Sequence, residues 1–545
     1  MTDAIRAELA RVAAVLGAPD ADFVLERPRD SGHGDLATNL AMVVAKAQKA
    51  NPRKIAERVI AELRFPEGTV AKSEIAKPGF INFWLAEDQL ASLVRRILTE
   101  GPRYGRSTAG QGRRINVEFV SANPTGPLHV GHGRGAALGD GIAALLDWTG
   151  HAVTREFYIN DAGVQIGKLA ASLWARIQEA VGRKREIPEG GYHGDYLKDL
   201  AARVLEEKGP AFADLPEAEA LPQCRAMVLA SQRAEQDQLL ADFGVRFDVM
   251  SSEQTIYDRG LIEQTLGMLD QRGLLYEKDD ARWLRTTDFG DDQDRVLRKR
   301  DGTYTYVLPD IAYHVDKHDR GFEQVIDLWG ADHHGYIPRM RAALRALGYP
   351  DEFFDVEIVQ LVKVVRGGEE VKMSKRSGEF VTLRDLIEEV GVDAARYFFL
   401  MRRGDSHFVF DVDLARKQTD ENPVFYVQMA HARLSGIFRT AGRDPDSATG
   451  DIDLAGLPAL EDLELLKKLG RFPEVVEKAA REREPHRITG YLEELAAIIH
   501  GWYHRTRTVG EAPPVEASRL RLSRAARIVV GNGLSLLGLS APDRM

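Results

Sequence analysis

Residues 115 to 159 constrain the fold more than any other stretch. Ile115-Asn-Val-Glu-Phe119 alternates apolar and polar residues and predicts a strand. Ser121-Ala-Asn-Pro-Thr-Gly-Pro127 predicts a loop. His129-Val-Gly-His132 then opens a predicted helix over 133–148, stopped by Thr149-Gly150, and a second strand is expected over 152–159. Strand, helix and strand in that order make a parallel βαβ unit, so an α/β domain is expected. A helix start offers unpaired N–H groups and the positive end of a dipole, which suits phosphate. Two imidazoles and a glycine at that start add donors and room for a nucleotide. Gly131-x-Gly133-x-x-Ala136 also fits a dinucleotide fingerprint. Against it, the first glycine of that fingerprint closely follows the strand, whereas here a loop with Pro124 and Pro127 intervenes, and the fingerprint gives no reason for His129 or His132.

The second informative feature is Lys372-Met-Ser-Lys-Arg376, with Gly378 after it. Two ammonium groups and a hydroxyl in a short loop suit a triphosphate whose α-phosphorus is attacked while pyrophosphate leaves, because charge grows on the phosphoryl oxygens. Either motif alone says little; both in this order say much. With 545 residues, three or four domains are expected. No apolar run is long enough for a membrane span, and the start has no basic-then-apolar leader, so no membrane or secretory role is expected. Cys224 is the only cysteine, which excludes an internal disulfide and a cysteine zinc cluster and fits a reducing cytoplasm. The net charge of -10 argues against nucleic acid only superficially, since phosphate binding depends on local patches. Near the end, Arg505, Arg507, Arg519, Arg521, Arg524, Arg527 and Arg544 outnumber Glu511, Glu516 and Asp543.

Along the chain, residues 1–110 read as a first unit. It has a helix with apolar positions Ile5, Leu9, Val12, Val15 and Leu16, a helix over 37–49, and a Pro78-Gly79 turn leading into a strand that ends near 85. Residues 111–382 read as the α/β domain, split by a helical insertion over about 166–255. Strands are expected to resume at 282–285, 304–307, 324–328 and 356–365. A connecting helical segment over 383–419 leads to a helical bundle over 420–545, with helices over 460–480, 485–505 and 516–537 and a polar loop over 440–456.

The two motifs together resemble the HIGH and KMSKS signatures of class I aminoacyl-tRNA synthetases, with Val130 for the usual Ile and Arg376 for the final Ser. Within the class, the run Val117 to Gly135, the segment Tyr158-Ile-Asn-Asp-Ala-Gly-Val-Gln165, the segment Asn422 to Arg433 (with Met429 where Tyr is common) and the closing Leu537 to Met545 resemble the arginyl-tRNA synthetases of bacterial type. The resemblance covers essentially the whole chain. It implies a Rossmann-like parallel-sheet catalytic domain with a helical insertion, an α+β N-terminal domain contacting the tRNA elbow, and an all-α anticodon-binding bundle. It implies that arginine is activated by ATP, entering with Mg2+ as a substrate complex, and transferred to the 3′ end of tRNA(Arg) by a monomeric cytoplasmic enzyme without structural zinc, with activation itself requiring tRNA. His129, Gly131, His132, Lys372, Ser374 and Lys375 match the ATP positions, the histidines and lysines being catalytic. Glu118, Asn123, Tyr306 and Asp310 match arginine-binding positions, as does Asp332 or His333. Phe80, Asn82, Tyr426 and Arg433 match tRNA-binding positions. The chemistry agrees: a guanidinium is always charged and wants carboxylates and planar acceptors in a fixed fork. A cysteinyl-type relative would need zinc ligands that one cysteine cannot supply, a lysine pocket would not need the paired acidic positions, and a catalytically silent paralogue would not need both histidines and both lysines.

Overall fold

A computed structural model describes residues 2–28, 31–161, 163–371 and 381–545. The expected βαβ unit is present: strand Arg114–Glu118, helix Val130–Trp148 and strand Ala152–Ile159. The two strands pair in parallel, Ile115 opposite Val153 and Val117 opposite Arg155. On the other side of Arg114–Glu118 lies Gln324–Gly330, also parallel, and beyond it Phe354–Val359. The fifth strand is Val249–Ser252, at the opposite edge beside Ala152–Ile159. It falls inside the stretch expected to be purely helical. Two apolar residues followed by two serines give too short a pattern to register.

The first strand carries two classes of side chain. Ile115 and Val117 are buried in apolar surroundings, whereas Asn116 and Glu118, also buried, meet charged partners. The helix Val130–Trp148 packs closely on the sheet: a Cβ at Gly139 would lie 2.1 Å from Cγ of Phe119, so only glycine fits there. This side of the sheet shares one apolar core with the C-terminal helices. The helices Leu261–Gln271, Val307–Asp319 and Ile337–Ala346 build a second core with Val325 and Phe354 of the sheet.

Several expected elements change. No strand forms at 304–307: Tyr304 makes one isolated bridge to Arg298, and Val307 already begins a helix. The expected strand over 356–365 is two strands, Phe354–Val359 and Val362–Arg366, the second paired with Phe408–Asp411 in a separate small sheet. The segment over 383–419 is therefore not wholly helical. Leu460–Leu469 and Phe472–Glu482 are separate helices, the second with Pro473 in its first turn, where a missing N–H costs nothing.

The insertion helices Val164–Ala180 and Tyr196–Lys208, with the first half of Glu217–Asp242, bury a core of their own that includes Trp174, Leu197 and Cys224. Burial pushes the Cys224 thiol up to about 12, so it stays a packed apolar group. At the N-terminus, Thr2–Val15, Leu40–Gln48 and Pro52–Glu62 cover one face of a four-stranded sheet. Val15 is exposed, not a core position, and the segment expected as one helix from 37 is strand Leu36–Thr38 followed by helix. This core ends at Leu85. The next helix, Glu87–Glu100, packs Leu90, Val94 and Ile97 into the core shared with the C-terminal bundle. The first unit is thus shorter, as a packed body, than the expected 1–110.

Candidate active site

Strand order reverses direction at Arg114–Glu118, whose one neighbour follows it immediately and whose other arrives only at Gln324. Ligands of open parallel sheets bind beyond the carboxyl ends at such a point. Here the chain turns through Val120 (φ 69°) and Ser121 (φ 38°), two left-handed residues that are not glycine. A β-branched residue in this region costs about 1–3 kcal/mol and persists only where its surroundings hold it. The Ser121 hydroxyl does part of this, donating to Glu118 Oε1 (2.9 Å) and accepting from the Tyr158 N–H (3.1 Å).

The chain then reaches the histidines. His129 is the N-cap of the Val130–Trp148 helix, and its Nδ1 accepts from the N–H groups of Gly131 (3.1 Å) and His132 (3.4 Å). His132 Nδ1 accepts in return from the His129 N–H (3.2 Å), and the rings stack 3.7 Å apart. Two imidazoles thereby form the reciprocal cap that Ser and Glu usually make. Accepting at Nδ1 puts the proton of each neutral ring on Nε2, so both present an N–H donor at a helix N-terminus. A Cβ at Gly131 would sit 2.9 Å from the His129 ring, so the glycine keeps the cap open.

Lys372, Ser374 and Lys375 lie outside the described residues, as do Arg376 and Gly378. The chain on either side of them is fixed. Val371 donates to the Val364 carbonyl (2.9 Å). Immediately after the loop, Val381 accepts from Val130, Leu383 donates to Leu128 (2.8 Å), and Thr382 bridges to His129. The residues that follow the second signature region, 381–383, thus pair antiparallel with 128–130, far away in sequence.

At the carboxyl ends of the neighbouring strands lies a cluster of carboxylates and tyrosines, an acidic recess. Asp310 stands in the first turn of Val307–Asp319, one turn past the N-cap role a lone Asp would take, and accepts from the Tyr336 hydroxyl (2.7 Å). Burial raises its pKa, and the Tyr336 hydrogen bond opposes that rise. Tyr306 is 74% exposed and so not a core aromatic. Glu253, at the start of the helix Glu253–Asp258, was not anticipated. Burial, then the charges of Asp310 and Asp161, push its pKa up to about 7, and its Oε2 is buried without a hydrogen-bond partner among the described residues. Tyr158 and Tyr257 feel the fields of both Glu253 and Asp310. A buried, like-charged carboxylate pair with an unsatisfied oxygen is a site for a cation with several donors.

Glu118 is held in an ion-pair network that the sequence reading did not include. It is buried, and its Oε2 accepts from Lys317 Nζ at 2.6 Å. Lys317, wholly buried, also bonds Asp327 (3.0 Å), which faces His314 Nε2 (3.0 Å). Burial lowers the Lys317 pKa, but Asp327, Glu118 and Glu156 outweigh it and hold the ammonium charged. Removing one partner of such a pair costs about 3–5 kcal/mol. The Glu118 carboxylate is therefore held at both oxygens, Oε2 by Lys317 and Oε1 by the Ser121 hydroxyl. The sequence signal for Lys317 was available: Asn116, Glu118, Asp327, His314 and Lys317 are polar residues inside otherwise apolar strands and a helix. Asn123 bonds Gln165 (3.1 Å). Asp332 and His333 are exposed and 3.5 Å apart; of the two, His333 is the one whose charge reaches Asp310.

The expected tRNA contacts divide. Phe80 is half-buried at the start of Phe80–Leu85, and Asn82 is 5% exposed between two strands. Tyr426 and Arg433 converge on His500: the Tyr426 ring tilts over it at 4.4 Å, and Arg433 lies 2.7 Å from its Nδ1. Four of the arginines counted near the C-terminus are ion-paired. Arg519 is buried on Asp462, Arg505 pairs with Glu461, Arg524 with Asp446 and Arg527 with Asp543. Counting charges could not reveal that Glu461, Asp462 and Asp446, outside the counted stretch, pair with three of these arginines.

A parallel sheet with stacked imidazoles at its switch point defines a class, and comparison with known proteins agrees. The family described as tRNA synthetases class I (R), catalytic domain, matches residues 93–433. The Arginyl tRNA synthetase N terminal domain matches residues 1–85, and the DALR anticodon binding domain matches 427–545. An arginine–tRNA ligase of Geobacillus kaustophilus is 50% identical over 527 residues, 96% of this chain and 94% of that protein. One of Syntrophotalea carbinolica is 51% identical over 524 residues, covering 96% and 94%. The Thermus thermophilus arginyl-tRNA synthetase structure shares the fold, with a TM-score of 0.77 at 24% identity over all of both chains. The chain is a class I aminoacyl-tRNA synthetase. Within that class it belongs to the arginyl-tRNA synthetases, which join arginine to tRNA(Arg).

Proposed function

We propose that the Nε2–H donors of His129 and His132, with the helix N-terminus behind Gly131, bind the phosphates of ATP, and that Lys372, Ser374 and Lys375 close on them from the other side. The observation that carries this is the pairing of 381–383 with 128–130, which tethers the lysine loop's exit to the histidine cap. Asp310 and Glu253 take the guanidinium, with Tyr306, Tyr336 and His333 around it, and Asn123 faces the amino-acid backbone. Arginine's carboxylate attacks the α-phosphorus of ATP, which enters with Mg2+, giving arginyl-adenylate and pyrophosphate. The terminal adenosine of the tRNA then attacks the activated carbonyl and AMP leaves. Positioning and fixed charge carry the first step, so no enzyme nucleophile is needed. We place the enzyme in the cytoplasm, as a monomer; the lone buried thiol suits a reducing compartment. His132→Ala tests the site: with cognate tRNA present, kcat for arginine-dependent ATP–pyrophosphate exchange falls by about 10²- to 10³-fold, the usual loss for one transition-state donor. Unchanged kcat refutes the assignment.

We further propose that the N-terminal unit holds the tRNA elbow through Phe80, and that Tyr426 and Arg433 face the anticodon arm. The unit meets the C-terminal helices through polar pairs, Asp35 with Lys467 (2.6 Å) and Arg27 with Glu474 (3.2 Å). Its removal exposes ions, not core. Deleting residues 1–85 and keeping the helix at Glu87 therefore leaves a folded enzyme whose KM for tRNA rises about tenfold or more, a loss of ~1.4 kcal/mol. Steady-state charging at varied tRNA concentration checks it, and an unchanged KM sinks the elbow role.

A further inference from the structure

The loop between the strained turn and His129 is held from outside the catalytic sheet. Tyr196, at the start of the insertion helix Tyr196–Lys208, donates its hydroxyl proton to the Thr125 carbonyl (2.6 Å). Gln236, on Glu217–Asp242 and only 2% exposed, aims its amide at the carbonyls of Asn123 (3.3 Å) and Gly126 (3.4 Å). Gln165, on Val164–Ala180, accepts from the Asn123 side chain. All three long helices of the insertion thus meet residues 123–126.

The helix Glu217–Asp242 joins two bodies. Its early residues Ala220, Cys224 and Val228 belong to the insertion's own core, while Leu239 and Leu240 belong to the core of the catalytic domain. Gln232 and Gln236 are buried at the junction, each with an Oε1 lacking a partner among the described residues. Buried amides with an unmet acceptor are costly in an ordinary packing joint. Gln236 is retained at a place where its N–H groups meet loop carbonyls. The loop needs such support, because Val120 and Ser121 hold a left-handed turn just before it.

We propose that the helical insertion is a clamp on residues 123–126, with Tyr196 and Gln236 as positioning residues that set the rate of arginine activation. The inference rests on the reading of His129 and Asn123 as parts of the ATP and arginine site. Both act on backbone carbonyls of the loop and so fix the path by which the chain enters the histidine cap.

The test uses the full-length enzyme in ATP–pyrophosphate exchange with cognate tRNA present. Tyr196→Phe and Gln236→Met each remove a donor while keeping shape. Each lowers kcat about 3- to 10-fold, as expected for one hydrogen bond, and together they lower it about 10- to 100-fold. KM for tRNA stays at the wild-type value. Gln236→Glu supplies a readout that simple packing would not move. A neutral carboxylic acid can donate to a carbonyl and a carboxylate cannot. Burial raises the pKa of such an acid, so kcat relative to wild type recovers on going from about pH 8 to about pH 6. The Gln236→Met ratio stays flat. Wild-type kcat in the double variant overturns the clamp. So does a loss that follows a lowered Tm, with kcat and every KM affected alike and no recovery of Gln236→Glu in acid. His132→Ala runs alongside: if it loses exchange while the clamp variants do not, the site reading stands and the clamp alone falls; if it retains exchange, both fall.

Discussion

Asp310→Asn raises KM for arginine by about 10²- to 10³-fold and leaves KM for ATP near the wild-type value. The expectation follows from the recess geometry. The Asp310 carboxylate is oriented by the Tyr336 hydroxyl at 2.7 Å and is half-buried, so a guanidinium entering it exchanges water for a charge-assisted fork. Removing one partner of such a pair costs about 2–5 kcal/mol. Asparagine keeps the shape and the Tyr336 contact but offers one neutral acceptor. Glu253 adds a pH signature. Its pKa of about 7 means it is largely protonated below neutrality. As pH rises through 7 the recess gains negative charge, so kcat/KM for arginine rises with pH, reporting the free enzyme. Glu253→Gln removes that inflection and leaves any inflection due to the histidines. Steady-state exchange across pH, at saturating ATP and tRNA, measures both variants. Equal losses for arginine and ATP would indicate a general defect and refute the pocket assignment.

How much of this was legible before the structure differs by element, for physical reasons. The βαβ unit was readable because a strand, a helix start and a Thr-Gly stop follow each other without interruption. Val249–Ser252 was not, because a four-residue strand inside charged helices carries no detectable period. With that strand went Glu253, which follows it directly and completes the acidic recess. Tyr306 and Asp310 could be marked from sequence, but not that Tyr336 would orient Asp310, since that bond joins two elements through the fold. Glu118 was found as a polar strand residue, but its intramolecular partner Lys317 was not. Its alternation with Asn116 shows which face it shares, while the buried Lys317 opposite it comes from a helix about two hundred residues on. Sequence could likewise count arginines near the C-terminus but could not see Asp462 buried against Arg519.

Lys375→Ala lowers kcat of arginine activation by about 10²- to 10³-fold while KM for arginine changes little. Lys375 itself lies outside the described residues, but the chain on both sides of it is fixed. Val371 is hydrogen-bonded to Val364, and Val381 and Leu383 pair with Val130 and Leu128. The nine residues between those fixed points, 372–380, lead directly into the segment paired with the histidine cap. An ammonium there meets the phosphates as pyrophosphate departs. It stabilises charge that grows only in the transition state, which removes activation rate, not arginine affinity. Lys375→Arg restores the charge on a planar, differently hydrated group and recovers part of the loss. The double variant with His132→Ala separates a shared role from two separate ones. If both groups act on the same phosphoryl oxygens, the combined loss is smaller than the product of the single losses, since removing one already forfeits part of what the other contributes. Simple multiplication of the two losses would place Lys375 on a different part of the substrate, and a single variant with near wild-type kcat would remove it from the chemistry.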